Sequence, residues 1–142
     1  MVSEAKEVYA KRIATNPDSM ARFNISQGFH VGDLILISGQ TANDEHGDLI
    51  GQNDFDAQAK QVFHNLDQVL NAGGASLDSV IKVNIYLTDM GNFPKIVELR
   101  KRYFSKPYPA DTIVEVNALA APGMMLEIEA VALAHGKKVD VE

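Results

Sequence analysis

The sequence predicts a two-layer α+β domain, with two helices on one side of a mainly antiparallel sheet. Several short segments alternate apolar and polar residues at the two-residue period of a strand. Two longer segments repeat apolar residues at helical spacing. Their order, β-β-α-β-α-β-β, is that of helices packed on one sheet face.

The elements follow in chain order. Residues 1–20, ending at Asn16-Pro17-Asp18-Ser19, read as a loosely tied arm ahead of a domain over 21–137, with a short tail over 138–142. Phe29 to Gln40 reads as apolar strand sequence, with Val31-Gly32-Asp33 as a turn ahead of Leu34-Ile35-Leu36-Ile37-Ser38, and with Phe23-Asn24-Ile25-Ser26 before it this predicts an antiparallel hairpin. Thr41 to Gln52 is polar and reads as a loop. Asn53 or Asp54 then caps a helix whose stripe is Phe55, Ala59, Val62, Phe63, Leu66, Val69 and Leu70, and Gly73-Gly74 ends it. A second helix begins after Gly91-Asn92 with Pro94 in its first turn. It turns Phe93, Ile96, Val97, Tyr103 and Phe104 inward and leaves Arg100, Lys101 and Arg102 mostly outside.

Three strands flank these helices. Ile81, Val83, Ile85 and Leu87 share one face; so do Val114, Val116 and Ala118, and likewise Leu126, Ile128, Ala130 and Ala132. The opposite faces mix Lys82, Asn84, Glu115, Asn117, Glu127 and Glu129 with Tyr86, Ile113, Val131 and Leu133. That face is too apolar for water and too charged for a private core, which suits an oligomer interface enclosing a polar cavity.

Composition narrows the function. Thirteen Lys and Arg against nineteen Asp and Glu give net −6, and no basic block is present to neutralise a phosphate backbone, so nucleic acid is not an expected partner. With 46% hydrophobic and 23% charged residues the chain reads as globular. Zero cysteines exclude disulfides, Cys metal sites and Cys nucleophiles. The charged first residues lack the apolar centre of an export signal, and no apolar run has membrane-spanning length, so the expected location is the cytoplasm, away from membranes.

Spacing alone carries little chemistry. Glu127 and Glu129 leave one strand face roughly 7 Å apart, close enough to divide acid and base roles. The plainer alternative is that both face water or pair with Lys82. His30, His46, His64 and His135 stand at no metal-ligand spacing, so no metal is expected. Arg100-Lys101-Arg102 with Lys106 reads as a solvated helix end.

Taken together, Ile37-Ser38-Gly39-Gln40, Asn65-Leu66 through Ala72-Gly73-Gly74, Val80-Ile81-Lys82-Val83, Tyr86-Leu87-Thr88-Asp89-Met90, Pro109-Ala110, Val114-Glu115-Val116 and Leu126-Glu127-Ile128-Glu129-Ala130-Val131-Ala132 resemble the Rid, or YjgF-type, reactive intermediate deaminases. The matches run in order from about Phe23 to Ala134. The resemblance implies a chorismate-mutase-like fold and a homotrimer with small-molecule clefts between subunits. It also implies hydrolysis of enamines or imines to a keto acid and ammonia without metal or cofactor. Glu127 matches the residue that positions the attacking water, and Ser38 and Gly39 match a corner whose backbone holds the ligand.

Other positions depart from the family pattern. Ile25 stands for a Tyr, Val97 for an Asn and Ile113 for a Cys. Asp111 stands where the family's Arg grips the substrate carboxylate. A carboxylate at 111 repels that anion, so the resemblance implies a cleft made acidic by Asp111 and Glu127 and a substrate other than a small 2-imino acid. Arg100 or Arg102 is the available substitute cation, although both fall on the face read as exposed. Two further readings stay open: a non-catalytic ligand-binding or protein-stabilising trimer, and a ribonuclease or translation inhibitor, against which the net charge argues.

Overall fold

A computed structural model describes residues 4–141. The start of the expected arm, residues 1–3, and the last residue of the tail, 142, lie outside the described residues. Six strands form one sheet: β1 (Ala10–Ile13), β2 (Gly28–Val31), β3 (Leu34–Gln40), β4 (Val80–Leu87), β5 (Ala110–Glu115) and β6 (Leu126–Leu133). Their spatial order is β1-β2-β3-β6-β4-β5. Two helices, α1 (Phe55–Ala72) and α2 (Phe93–Tyr103), complete the two-layer α+β fold. Every pairing is antiparallel except β4 with β5, which α2 joins as a parallel crossover. Among the described residues no helix is long and apolar enough to cross a membrane.

Helix α1 forms as its sequence stripe predicts. The Asp54 carboxylate caps it by accepting from the Ala57 N–H at 3.1 Å, and Phe55, Ala59, Val62, Phe63, Leu66, Val69 and Leu70 are all buried. Gly74, at φ +82°, takes the left-handed turn that leads the chain out of the helix. Phe63 stacks on Tyr103 with centroids 4.2 Å apart and meets Phe104 edge-on at 5.6 Å, which fastens the end of α2 to α1. Against the sequence expectation, Phe93 and Val97 stay exposed on α2, and Ile96 is its buried anchor.

The sheet corrects four further expectations. First, Phe23–Ser26 is no strand: Ala21–Phe23 is a short 3-10 turn ended by Asn24 in the left-handed conformation at φ +60°. Second, Ala10–Ile13 within the expected arm is edge strand β1, paired with β2 and anchored by buried Ile13. Third, a register shift between Val80 and Lys82 makes Val80, not Ile81, the buried start of β4. Fourth, β5 ends at Glu115 and shows the opposite faces to helix and surface. Ile113 pairs with buried Ile85 and packs on the core, while Val114 pairs with Tyr86 and is exposed.

The helix-covered face of the central strands is closed. Val83, Ile85 and Leu87 on β4 and Leu126, Ile128, Ala130 and Ala132 on β6 are buried. The opposite, uncovered face carries Lys82, Asn84 and Tyr86 beside Glu127, Glu129, Val131 and Leu133, all partly exposed, with Leu36 and Val114 alongside.

Candidate functional site

The two acidic residues of β6 have different surroundings on that uncovered face. Glu129 Oε1 accepts hydrogen bonds from Asn84 Nδ2 and Tyr86 Oη on β4, each at 2.7 Å. Lys82 does not pair with either acid; it donates to Thr112 Oγ1 at 3.0 Å. Glu127 is partly buried against β3, where the ladder is irregular: Ile37 pairs with Ala130 but Gln40 pairs with Ile128, leaving Ser38 and Gly39 in the bulge. A Cβ built on Gly39 would overlap the Glu127 carboxylate, with Cδ at 2.8 Å and Cγ at 3.0 Å. Only glycine permits this approach. Burial first, and the nearby Glu129 charge second, push the Glu127 carboxyl above the usual glutamate range. Tyr86 is also pushed up, chiefly by its hydrogen bond to Glu129, and so remains a protonated donor.

Gly39, Tyr86, Glu127 and Glu129 open on a cavity of about 370 Å³, whose remaining wall is the apolar run Val116, Ala118, Leu119 and Ala120 between β5 and β6. The chain just ahead of β6 is tied to the core by Gln58, a fully buried polar residue of α1. Its amide donates to the Gly51 and Gly123 carbonyls at 3.0 and 2.8 Å, and its oxygen accepts from the Met125 N–H at 2.9 Å. A smaller depression of about 190 Å³ lies further along the same face beside Lys82, Asn84 and Glu129.

The remaining candidate residues gather elsewhere. Ser38 is in the bulge beside Gly39, but its hydroxyl donates to the Ser26 carbonyl at 2.6 Å and its own carbonyl accepts from Gln40 at 2.9 Å. Asp111 pairs with Val83 in register, which puts it on the helix-covered side of β5, opposite to Glu127. There its Oδ2 accepts from Arg100 Nε at 2.8 Å, while Oδ1 is buried without a partner. Arg100 is therefore not a free surface cation: its side chain is 24% exposed and lies over the Phe93 ring at 5.6 Å. Ile113 shares this side of β5; Ile25 and Val97 are 48% and 46% exposed on other elements. Within one chain the structure thus brings together Ser38, Gly39 and Glu127, and separately Asp111 and Arg100. The acidic pair on the cavity side is Glu127 with Glu129.

Asn84, Tyr86, Gln58 and the Val116–Ala120 wall went unassigned at the sequence level. Asn84 and Tyr86 were legible as members of the mixed face; their convergence on one oxygen of Glu129 depends on the β4–β6 register. Among the described residues no three His, Asp or Glu side chains converge as a metal site.

This geometry defines a two-layer α+β domain with a carboxylate-bearing cavity on its uncovered sheet face. A family model described as Endoribonuclease L-PSP matches residues 13–134, and the chain belongs to that family, known also as the YjgF or Rid family. A RutC family protein of Pyrococcus horikoshii is 39% identical over 107 residues, 75% of this chain and 84% of the relative. A mouse protein named 2-iminobutanoate/2-iminopropanoate deaminase is 33% identical over 126 residues, 89% of this chain and 93% of its own. Among solved structures, RidA from the Antarctic bacterium Psychrobacter sp. superimposes with a TM-score of 0.78 at 37% identity, covering 87% of this chain and 98% of that one.

Proposed function

We propose that the chain is a cytoplasmic deaminase that hydrolyses an imine, or an enamine through its imine tautomer, to a carbonyl compound and ammonia. The observation that carries this reading is the placement of Glu127: a partly buried carboxyl of raised proton affinity, pressed on Gly39, at the mouth of an apolar-walled cavity. Water adds its oxygen to the imine carbon while its proton passes to the Glu127 carboxylate, and the nitrogen takes up a proton. The resulting carbinolamine collapses, the C–N bond breaks, and ammonia leaves. The mouse relative named as a deaminase supports the reaction class.

The site is completed between subunits of a homotrimer. Phe29, Leu36 and Val114 are exposed apolar residues on the uncovered sheet face, which supports burial there against another copy. In this reading Ser38 and Gly39 orient the ligand through their backbone, and Ile25, Val97, Asp111 and Ile113 of an adjoining copy shape the cleft. Asp111 directs it away from small 2-imino acids, because the carboxylate at that position engages Arg100 rather than a substrate anion.

The test is loss of 2-aminoacrylate generated in place, with wild type, Glu127→Gln and Asp111→Arg compared. Turnover of a supplied imine that Glu127→Gln abolishes supports the deaminase. Efficient hydrolysis of 2-aminoacrylate by wild type defeats the substrate restriction alone. Silence of wild type with a gain in Asp111→Arg supports an altered substrate. Silence of both favours a ligand-binding trimer, a second reading supported by the Arg100–Asp111 pair.

A further inference from the structure

We propose that Glu129, held in place by Asn84 and Tyr86, is a positioning residue that acts on Glu127 through its charge and so equips Glu127 to take the proton from the attacking water. The inference deepens the deaminase reading and, for its catalytic meaning, rests on it. The two carboxyls leave one strand face roughly 7 Å apart. Their surroundings differ. The amide of Asn84 and the hydroxyl of Tyr86 both donate to the same oxygen of Glu129 and fix where that carboxylate lies. Glu127 is instead set against the Gly39 backbone and the apolar wall of the cavity.

The other groups around the pair leave this assignment undisturbed. On β4 the titratable side chains of this face are Lys82, engaged by Thr112, and Tyr86, whose raised proton affinity keeps it a donor. Leu36 on β3 and Thr112 and Val114 on β5 carry no charge. The run Val116–Ala120 contains no titratable side chain. Arg12 is on β1 at the far edge of the sheet and pairs with Asp18 at 3.1 Å. Glu129 is thus the charge that most directly addresses Glu127, and Tyr86 and Asn84 fix where that charge sits.

The experiment is a carbon-detected NMR titration of the Glu127 carboxyl, assigned by its disappearance in Glu127→Gln. Glu129→Gln retains side-chain volume and an oxygen for the two donors, but removes the charge. It is expected to move the Glu127 titration down toward the ordinary glutamate range. Tyr86→Phe removes one clamp donor and is expected to move it the same way by a smaller step. An unchanged Glu127 titration in a folded Glu129→Gln protein overturns the proposal; if that variant does not fold, an unchanged titration in Tyr86→Phe overturns it. Where a substrate is turned over, the acid limb of kcat/KM should follow the NMR value to lower pH in Glu129→Gln. A merely structural Glu129 would lower rate without moving that limb. Silence of both wild type and Asp111→Arg in the imine assay defeats the deaminase reading and leaves the titration result standing.

Discussion

The two faces of β4 and β6 are made by the same residues' backbone, yet they behave as different materials. Toward the helices, Val83, Ile85, Leu126, Ile128 and Ala132 are at most 1% exposed. One residue along in each strand, Asn84, Tyr86, Glu127 and Glu129 are partly exposed, and Asn84 and Tyr86 donate hydrogen bonds to Glu129 across the ladder. The covered face draws its stability from excluded water and close packing. The uncovered face carries a partly buried carboxyl whose proton affinity is raised by burial and by a neighbouring charge. The comparison teaches that substitutions on the two sides should separate cleanly into losses of stability and losses of chemistry.

Four substitutions test that separation, in descending order of expected effect on stability. Phe63→Ala removes the ring that stacks on Tyr103 and meets Phe104, and should cost about 3–5 kcal/mol in urea unfolding. Gln58→Leu strands two carbonyls and one N–H and should cost about 3 kcal/mol. It should also loosen the entry to β6, read as faster amide exchange at Met125. Arg100→Met leaves the largely buried Asp111 uncompensated and should cost about 2 kcal/mol, between the values of exposed and fully buried pairs. The double substitution Arg100→Met with Asp111→Leu should recover most of that loss; failure to recover would mean that the pair itself stabilises the fold.

Glu127→Gln is the mildest for stability and the most severe for activity, with turnover of an imine substrate expected to fall at least about 100-fold. Its stability effect has a definite sign. Because the folded-state carboxyl is held above its ordinary range, the folded chain binds more protons than the unfolded chain between the two values. Stability contributed by this group is therefore present below the unfolded value and lost as pH rises through the folded one. The Gln variant should be slightly more heat-stable than wild type at neutral pH, and the difference should vanish below the ordinary glutamate range. Equal melting temperatures at both pH values would break the link between burial and proton affinity.

The sequence made the periodic parts of the molecule legible. The seven-residue stripe of α1 and the strict alternation of β6 each have one solution, and both are buried as the pattern requires. Where the pattern has two solutions, the reading fails. Around β5, Ile113 and Val114 are adjacent and both apolar, and Val116 follows just past its end, so alternation cannot tell which face is covered; pairing with β4 decides. At Val80-Ile81 two adjacent β-branched residues conceal the register shift. In Ala10–Ile13 a single inward apolar residue gives too weak a signal to mark a strand. In the candidate site, Glu127, Ser38 and Gly39 came from family resemblance, whereas the Gly39–Glu127 contact, the Glu129 clamp and the Arg100–Asp111 pair are made across elements and carry no sequence spacing.

The position of β6 has a consequence for the order of events during synthesis. It is the last strand in the chain but lies between β3 and β4 at the centre of the sheet. Until it leaves the ribosome, the β1-β2-β3 hairpin array and the β4-α2-β5 crossover have no ladder between them, and α1 has only part of its floor. The final closure brings distant parts of the chain together, a slow kind of step. Because the same strand carries Glu127, the cavity acquires its carboxyl only in the step that joins the two halves of the sheet, so under the proposed function a chain lacking β6 is expected to be inert.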